Sequence, residues 1–552
     1  MPKPIPESSD PYAPRLTLWQ RRPQLGWSLA VFVLTAVLTC AAFPPYNAGE
    51  VAYAFALPAL LWAYRRPPFK IFAGTVLAAQ AVAWTVLLGW LHHVTWVGLF
   101  LLGPFVGGLI GVWYLAAWWT IPRLSGHRAL IRIIVLFGLA ALWVLLEWVR
   151  STLFGGFPWL PLAASQWQRP LILQSASYAG SWSVSFVLMF FNLGAAAYAH
   201  RIFFEGVTGL RKRSPEFSIA LLLLMAGTFP FLSDFLNQQR SRLARVALVQ
   251  PYIPQAEKWD AARSTQVLRT IEKVTLDASR TGAPDFIVWP EAVTPWPLYR
   301  DANVAGWLTS VATVTGKPLL LGTVYTHGTG AAEAWYNGAT VVDPVHGLSA
   351  SPYAKRRLVP FGEFIPLRPL FGWLEKVVPI GGDFDRGTDA SPLAVPVGSH
   401  QVAVGVLICY EDIFPDLARD SVRSGAEVLA VLSNNGWFGE GGAAYQHATH
   451  SVLRAVETRR PVIRCGNGGW SGWIDEFGNI RATLKDENDS VYFRGAETVT
   501  VSRDLRWRDR QSFYTQHGDW FLLVCLGLAV VAYYLVLMLR PAPLRLADEA
   551  PY

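Results

Sequence analysis

The sequence predicts a two-part protein, an α-helical transmembrane domain of about eight spans joined to an α/β domain. Three observations carry this. Of 552 residues, 52% are hydrophobic and only 16% are charged, with a mean hydropathy of +0.28; a soluble domain carries roughly 25% charged residues. Apolar runs long enough to cross a bilayer, at about 20 residues each, recur through the first half and once more near the end. Between 238 and 515 such runs stop, and short β-branched runs alternate with amphipathic segments of helical length.

The spans are expected near 25–43, 50–64, 71–90, 97–121, 129–149, 181–199 and 217–233, with an eighth near 520–539. The second is short and the seventh ends at Pro230. Gly103, Gly107 and Gly111 share one face of the fourth and permit close helix packing. Basic residues fall in every second connection: Lys3, Arg15, Arg21 and Arg22; Arg65, Arg66 and Lys70; Arg123, Arg128 and Arg132; Arg201, Arg211, Lys212 and Arg213; Arg540 and Arg545. The intervening loops carry little charge. The positive-inside rule then places both ends of the chain in the cytoplasm and the 238–515 block outside it. The net charge of +8 is therefore topogenic, which argues against a nucleic-acid partner. The expected division is a cytoplasmic tail over 1–24, seven helices over 25–235, an extracytoplasmic domain over 238–515, a last helix over 518–540 and a tail over 541–552.

In the 238–515 block, 245–250, 285–290, 319–325, 340–343, 402–408 and 427–433 read as strands. Residues 265–280, 306–315 and 446–459 read as helices. Alternation of this kind argues for helices packed outside sheets. In such domains reacting groups collect at the carboxyl ends of strands, and three candidates sit there. Cys409 ends the apolar run 402–408 and is followed by Tyr410, Glu411 and Asp412. Glu291 follows Phe286-Ile287-Val288-Trp289-Pro290, and Lys355 follows Tyr353-Ala354. A thiol of ordinary pKa is protonated at neutral pH and needs a base or a cation to react. Glu291 can take the proton, Lys355 can stabilise the thiolate and an oxyanion, and the Tyr410 backbone N–H is a natural second donor.

Three motifs (Pro290-Glu291, Lys355 with Phe361-Gly362-Glu363, and Ile408-Cys409-Tyr410-Glu411) resemble the Glu-Lys-Cys motifs of the carbon–nitrogen hydrolase, or nitrilase, superfamily. Longer strings narrow the resemblance to the apolipoprotein N-acyltransferase family. They are Lys355-x-x-Leu358-Val359-Pro360-Phe361-Gly362-Glu363-Phe364-Ile365-Pro366, Ser433-Asn434, Trp437-Phe438-Gly439 and Arg454-Ala455-x-Glu457-x-x-Arg460-Pro461. In the membrane half, Glu147-Trp148-x-Arg150 and Gly156-Phe157-Pro158-Trp159 agree. The resemblance implies a nitrilase-like αββα sandwich in a bacterial cytoplasmic (inner) membrane protein. It implies an acyl chain passed from a phospholipid donor, through a Cys409 thioester, to the α-amine of a diacylglyceryl apolipoprotein. Catalytic Glu291, Lys355 and Cys409 would be supported by Glu363, Glu411 and Tyr410. The apolar stretch 367–380, with Phe371 and Trp373, and Trp437 are expected at a lipid-facing entrance. No cofactor and no metal are expected.

Against the family pattern, Asn435 stands for an aspartate, Arg357 for a histidine, Trp470 for a small aliphatic residue and Pro251-Tyr252 for Gly-Asn. Other cysteines read as inert: Cys40 and Cys525 lie in apolar runs and Cys465 in a strand-like one. His447 and His450 lie one helical turn apart without a third ligand. Competing functions are a membrane-tethered amidase that uses water as acceptor and a catalytically silent scaffold. No Gly-x-Ser-x-Gly elbow, P-loop or dinucleotide fingerprint is present.

Overall fold

The structure, a computed structural model, describes residues 22–205, 213–258, 260–294, 296–299, 302–328, 333–365, 368–372 and 383–539. The first half is helical: α1 (Arg22–Ala41), α2 (Leu57–Tyr64), α3 (Phe69–Leu87), α4 (Trp96–Thr120), α5 (Ala129–Thr152), the single turn α6 (Ala176–Ala179), α7 (Ser181–Phe204) and α8 (Pro215–Leu236). The expected glycine face packs α4 on α3. A Cβ on Gly103 would strike Thr85, one on Gly107 the Gln80 backbone, and one on Gly111 Leu77.

Two segments differ from the sequence reading. The 50–64 segment is built from a 3-10 turn (Gly49–Tyr53) and α2, whose eight residues rise only about 12 Å. The break between them is satisfied from inside the bundle. Asn192 of α7 accepts from the Ala56 N–H at 3.0 Å and donates to the Ala52 carbonyl at 2.8 Å. Irregular backbone at membrane depth requires such a partner. The second difference is α8, which does not stop at Pro230 but runs through it to Leu236.

The following block is two stacked sheets between helices. Its strands are β1 (Arg240–Gln250), β2 (Phe286–Trp289), β3 (Leu319–His327), β4 (Ala334–Asp343), β5 (Gly347–Leu348), β6 (Tyr353–Ala354), β7 (Leu393–Val397), β8 (His400–Ile408), β9 (Val428–Ser433), β10 (Val462–Gly466), β11 (Gly472–Ile474), β12 (Ile480–Thr483) and β13 (Gly495–Asp504). One sheet has the order β13-β1-β2-β3-β4-β5, with β6 also on β4; the other has β12-β11-β10-β9-β8-β7. Their helices are α9 (Gln255–Lys258), α10 (Ser264–Gly282), α11 (Ala302–Thr315), α12 (Arg368–Phe371), α13 (Pro415–Arg423), α14 (Gly442–Thr458) and α15 (Phe513–His517). The chain ends its described part in α16 (Trp520–Met538), packed on α5 where Gly138 leaves room for Ala532. Among the described residues, α1, α3, α4, α5, α7, α8 and α16 are the seven helices long and apolar enough to cross a membrane.

Period-two alternation in the strands sorts the core into layers. Val246, Leu248 and Val288 of the first sheet meet Val404, Val406, Ile408 and Leu432 of the second. On the far side of the first sheet, Val249, Ile287 and Leu321 pack on Ile271 of α10 and Leu308 of α11. On the far side of the second, Leu407, Leu429 and Val462 pack on Leu417 of α13 and Val452 of α14, in one continuous core with Trp159, Leu162 and Trp182 of the membrane half. The α13/α14 layer therefore serves as the seat between sandwich and membrane helices.

Candidate active site

The parallel strands β8, β9 and β10 pair in register, Ile408 against Leu432 and Ser433 against Gly466. They release Cys409, Asn434 and Asn467 at one edge, as expected of strand carboxyl ends. Cys409 adopts φ +49°, a left-handed conformation uncommon for a non-glycine residue and typical of functional turns. The Glu291 carboxylate, the Lys355 ammonium and the Asn434 backbone N–H all lie close enough to act on its thiol. Burial, then the Glu291 charge, push the thiol pKa well up; this is a neutral thiol poised on a base.

Glu291 lies just beyond β2, and its turn presses on Gly322 of β3, where a Cβ would meet the Glu291 Cα at 2.6 Å. Lys355 follows β6 and is 1% exposed. Its backbone N–H donates to the Asn337 carbonyl of β4 at 2.8 Å. Its Nζ lies 2.8 Å from Glu363 Oε1 and 3.4 Å from Glu291 Oε1. Asn337 Nδ2 donates to both carboxylates, at 2.9 Å to Glu291 and 2.8 Å to Glu363. Burial alone would raise the Glu291 pKa, but the Lys355 ammonium, the Asn337 amide, Lys258 and the thiol hold it below the ordinary value. Burial would lower Lys355, yet Glu363 and Glu291 outweigh it and lift its pKa. The resting site thus holds a carboxylate and an ammonium in contact, with the neutral thiol in their field.

Glu411 is fully buried and meets its hydrogen-bonding needs from the main chain and one hydroxyl. It accepts from the backbone N–H groups of Ile408 (2.7 Å), Arg356 (2.5 Å) and Arg357 (3.1 Å) and from the Tyr353 hydroxyl (2.8 Å). It therefore ties the Cys409 turn to the segment that carries Lys355. Arg357 itself reaches Asp416 at 3.1 Å and lies over Phe414.

Beneath Cys409, the His447 Nε2 lies 3.1 Å from the Cys409 carbonyl and 2.7 Å from Asp412 Oδ1. Arg464 Nη1 and Ser451 Oγ hold the other Asp412 oxygen at 2.6 and 2.8 Å. Burial and Arg464 keep His447 below its ordinary pKa, and its Nδ1 lies 3.2 Å from Asn435 Oδ1. Next to it, Gln446 uses all four of its hydrogen-bonding positions on the membrane half. It accepts from Trp90 Nε1 (3.0 Å) and Trp159 Nε1 (2.8 Å) and donates to the Pro44 (3.0 Å) and Leu87 (2.8 Å) carbonyls. Glu147 supports the same strut by accepting from Trp143 Nε1 at 2.9 Å and the Leu162 N–H at 2.7 Å.

Of the residues expected here, Glu291, Lys355, Cys409, Glu363 and Glu411 come together. Tyr410 is adjacent, and its hydroxyl bonds the membrane half. Trp437 is 47% exposed on the turn Asn435–Phe438, whose Phe438 packs on Trp90. Phe371 ends α12, and Trp373 with most of the 367–380 stretch lies outside the described residues. Among the described residues no group of three metal-ligating side chains converges, and His447 and His450 face Asp412 and Trp159. Cys465 is buried between the sheets, its Sγ 3.3 Å from the Val249 and Val288 carbonyls. Sequence reasoning missed Asn337, Gln446 and Lys258. Lys258 had one signal, its place soon after the end of β1.

Comparison with known proteins bears on both halves of the chain. Residues 245–502 match the carbon-nitrogen hydrolase family, and residues 35–194 match the apolipoprotein N-acyltransferase N-terminal domain. The apolipoprotein N-acyltransferase of Geobacter metallireducens is 30% identical over 91% of this chain and 94% of its own. That of Brucella melitensis biotype 1 is 30% identical over 92% and 95%. Among solved structures, a point mutant of the Nesterenkonia AN1 amidase from the nitrilase superfamily aligns over 52% of this chain and 98% of its own, at 18% identity and a TM-score of 0.37. The apolar helices and the matched N-terminal domain make this a multi-pass membrane protein. With relatives aligned along nine-tenths of its length and both halves matched, the chain belongs to the apolipoprotein N-acyltransferase family.

Proposed function

We propose that this protein transfers an acyl chain from a membrane phospholipid to the α-amine of the N-terminal diacylglyceryl-cysteine of apolipoproteins, through a thioester on Cys409. The observation that carries the reading is the gathering of Cys409, Glu291 and Lys355, with Glu291 Oε1 3.4 Å from Lys355 Nζ and both charges acting on the thiol, in a sandwich seated on membrane helices. In the first step Glu291 takes the thiol proton while Sγ attacks the ester carbonyl of the phospholipid. Lys355 Nζ and the Tyr410 backbone N–H receive the negative charge that develops on the carbonyl oxygen. The intermediate collapses to the thioester, and the departing lysophospholipid oxygen takes the proton back from Glu291. In the second step the acceptor amine attacks, gives its proton to Glu291, and the thiolate leaves and is reprotonated.

The alternation of basic loops supports cytoplasmic ends at 1–24 and 541–552 and an extracytoplasmic sandwich over 238–515, where the acceptor of such a transfer would stand. Phe371, Trp373 and Trp437 are proposed at the lipid entrance. A water-using amidase is less favoured, since the aligned relatives named N-acyltransferases share the membrane half as well as the sandwich.

The test uses the full chain in phospholipid nanodiscs. Mass spectrometry should find an acyl group on Cys409 that persists until a diacylglyceryl-cysteine peptide is added and is then consumed. Steady release of fatty acid without the peptide, or unchanged transfer by Cys409→Ala, would overturn the proposal.

A further inference from the structure

The reaction above uses one carboxylate and one ammonium beside the thiol, yet the pocket holds two of each. Glu291 and Glu363 share the Lys355 ammonium, at 3.4 and 2.8 Å, and share the Asn337 amide. A second carboxylate this close, with one cation between the two, disfavours the ionised form of Glu291. The second cation is Lys258. It is 2% exposed, its Nζ donates to the Glu291 main-chain carbonyl at 3.1 Å, and its charge acts on Glu291 and Cys409. Those two groups face it from the ends of β2 and β8; Lys355 and Glu363 join the same cluster through Glu291.

We propose that Lys258 is a positioning residue for the acyl transfer: its ammonium balances the second carboxylate, keeps Glu291 ionised against the thiol and clamps the Glu291 main chain. This rests on Glu291 being the base. Burial draws the Lys258 pKa down to about 8, which leaves it an ammonium at neutral pH. With Lys258 in place the pocket is neutral before and after the proton moves from Sγ to Glu291. Without it the pocket carries a surplus negative charge in both states. Glu291 would then be protonated from solvent at a higher pH and would be unable to accept the thiol proton.

The experiment measures single-turnover release of lysophospholipid by the full chain in phosphatidylethanolamine–phosphatidylglycerol nanodiscs from pH 5 to 9. Lys258→Met should move the acid limb of the rate upward by at least about one pH unit. It should then be about two- to threefold slower than wild type at pH 5, with the two rates converging by pH 8. Lys258→Arg should keep the wild-type limb. An unmoved limb in Lys258→Met, whether the rate is intact or uniformly reduced, would overturn the inference; the uniform loss would mark a packing role only. Should the Met variant not fold, the wild-type profile decides, because a limb above about pH 5.5 is incompatible with a carboxylate held below its ordinary value. Release that survives in Cys409→Ala would instead sink the proposed function. A silent Cys409→Ala with an unmoved limb sinks this inference alone.

Discussion

Tyr410 donates its hydroxyl to the main-chain carbonyl of Gly156 across 2.6 Å. The residue after Cys409 is therefore bonded to the membrane half, at a turn only glycine fits: Gly156 has φ +87°, and a Cβ there would lie 2.1 Å from the Ser151 carbonyl and 3.1 Å from Phe414. His447 braces the Cys409 carbonyl from the other side. A left-handed cysteine is held in place by both halves of the molecule.

Tyr410→Phe removes this bond and little else. The loss in stability should be about 1 kcal/mol, while formation of the Cys409 thioester should slow several-fold because the turn loses a restraint. Thermal unfolding and single-turnover lysophospholipid release check the two effects separately. An unchanged rate would show that the bond does not act on the nucleophile.

Gln446→Leu leaves two indole N–H groups and two main-chain carbonyls without their partner at the seat between the halves. Leaving buried polar groups unmet costs about 1–3 kcal/mol each, so a loss on the order of 3 kcal/mol or more is expected. Gln446→Glu keeps both acceptor bonds and should fall between the two. The order wild type, Glu, Leu in melting temperature is the measurement; equal melting points would remove the seat from the stability account.

Asn337→Asp sets a third carboxylate against Glu291 and Glu363. The added negative charge disfavours ionised Glu291, so its pKa rises. The acylation rate should fall most at pH 5 to 6 and recover towards pH 8. Asn337→Ala, which adds no charge, should lower the rate without that recovery. Profiles of the same shape for both variants would contradict the argument.

Asp412 is held well below the usual carboxylate range: burial would raise it, but His447 and Arg464 outweigh that cost. Its folded pKa is lower than the unfolded value near 3.9. The stabilisation is therefore complete above about pH 4 and is lost as the pH falls through the folded value. Wild type should exceed Asp412→Asn by on the order of 3 kcal/mol at pH 7, since one partner of a buried ion pair is left uncompensated. That gap should narrow progressively below about pH 4. A gap that stays constant down to pH 3 would show that the carboxylate charge is not its source.

Much of the architecture is legible in order along the chain. β8 and β9 appear as β-branched runs of the right length, and the helix 446–459 is close to α14 as folded. The break at 50–64 was not legible, because its partner Asn192 lies far along the chain and hydropathy counts only composition. Pro230 misled for the opposite reason: a proline removes one helical bond, and the apolar run beyond it still favoured helix to Leu236.

By itself the sequence determined the two-part organisation and singled out Cys409, Glu291 and Lys355 as reactive residue types at strand ends. Hydropathy, strand periodicity and reactive residue types are properties of short stretches, and each can be read where it stands. Only the tertiary structure decided that Asn337 links the two carboxylates, that Lys258 reaches Glu291, and that Gln446 is spent on the membrane half. Those roles come from distance and shared charge between residues remote in order, which no local pattern encodes.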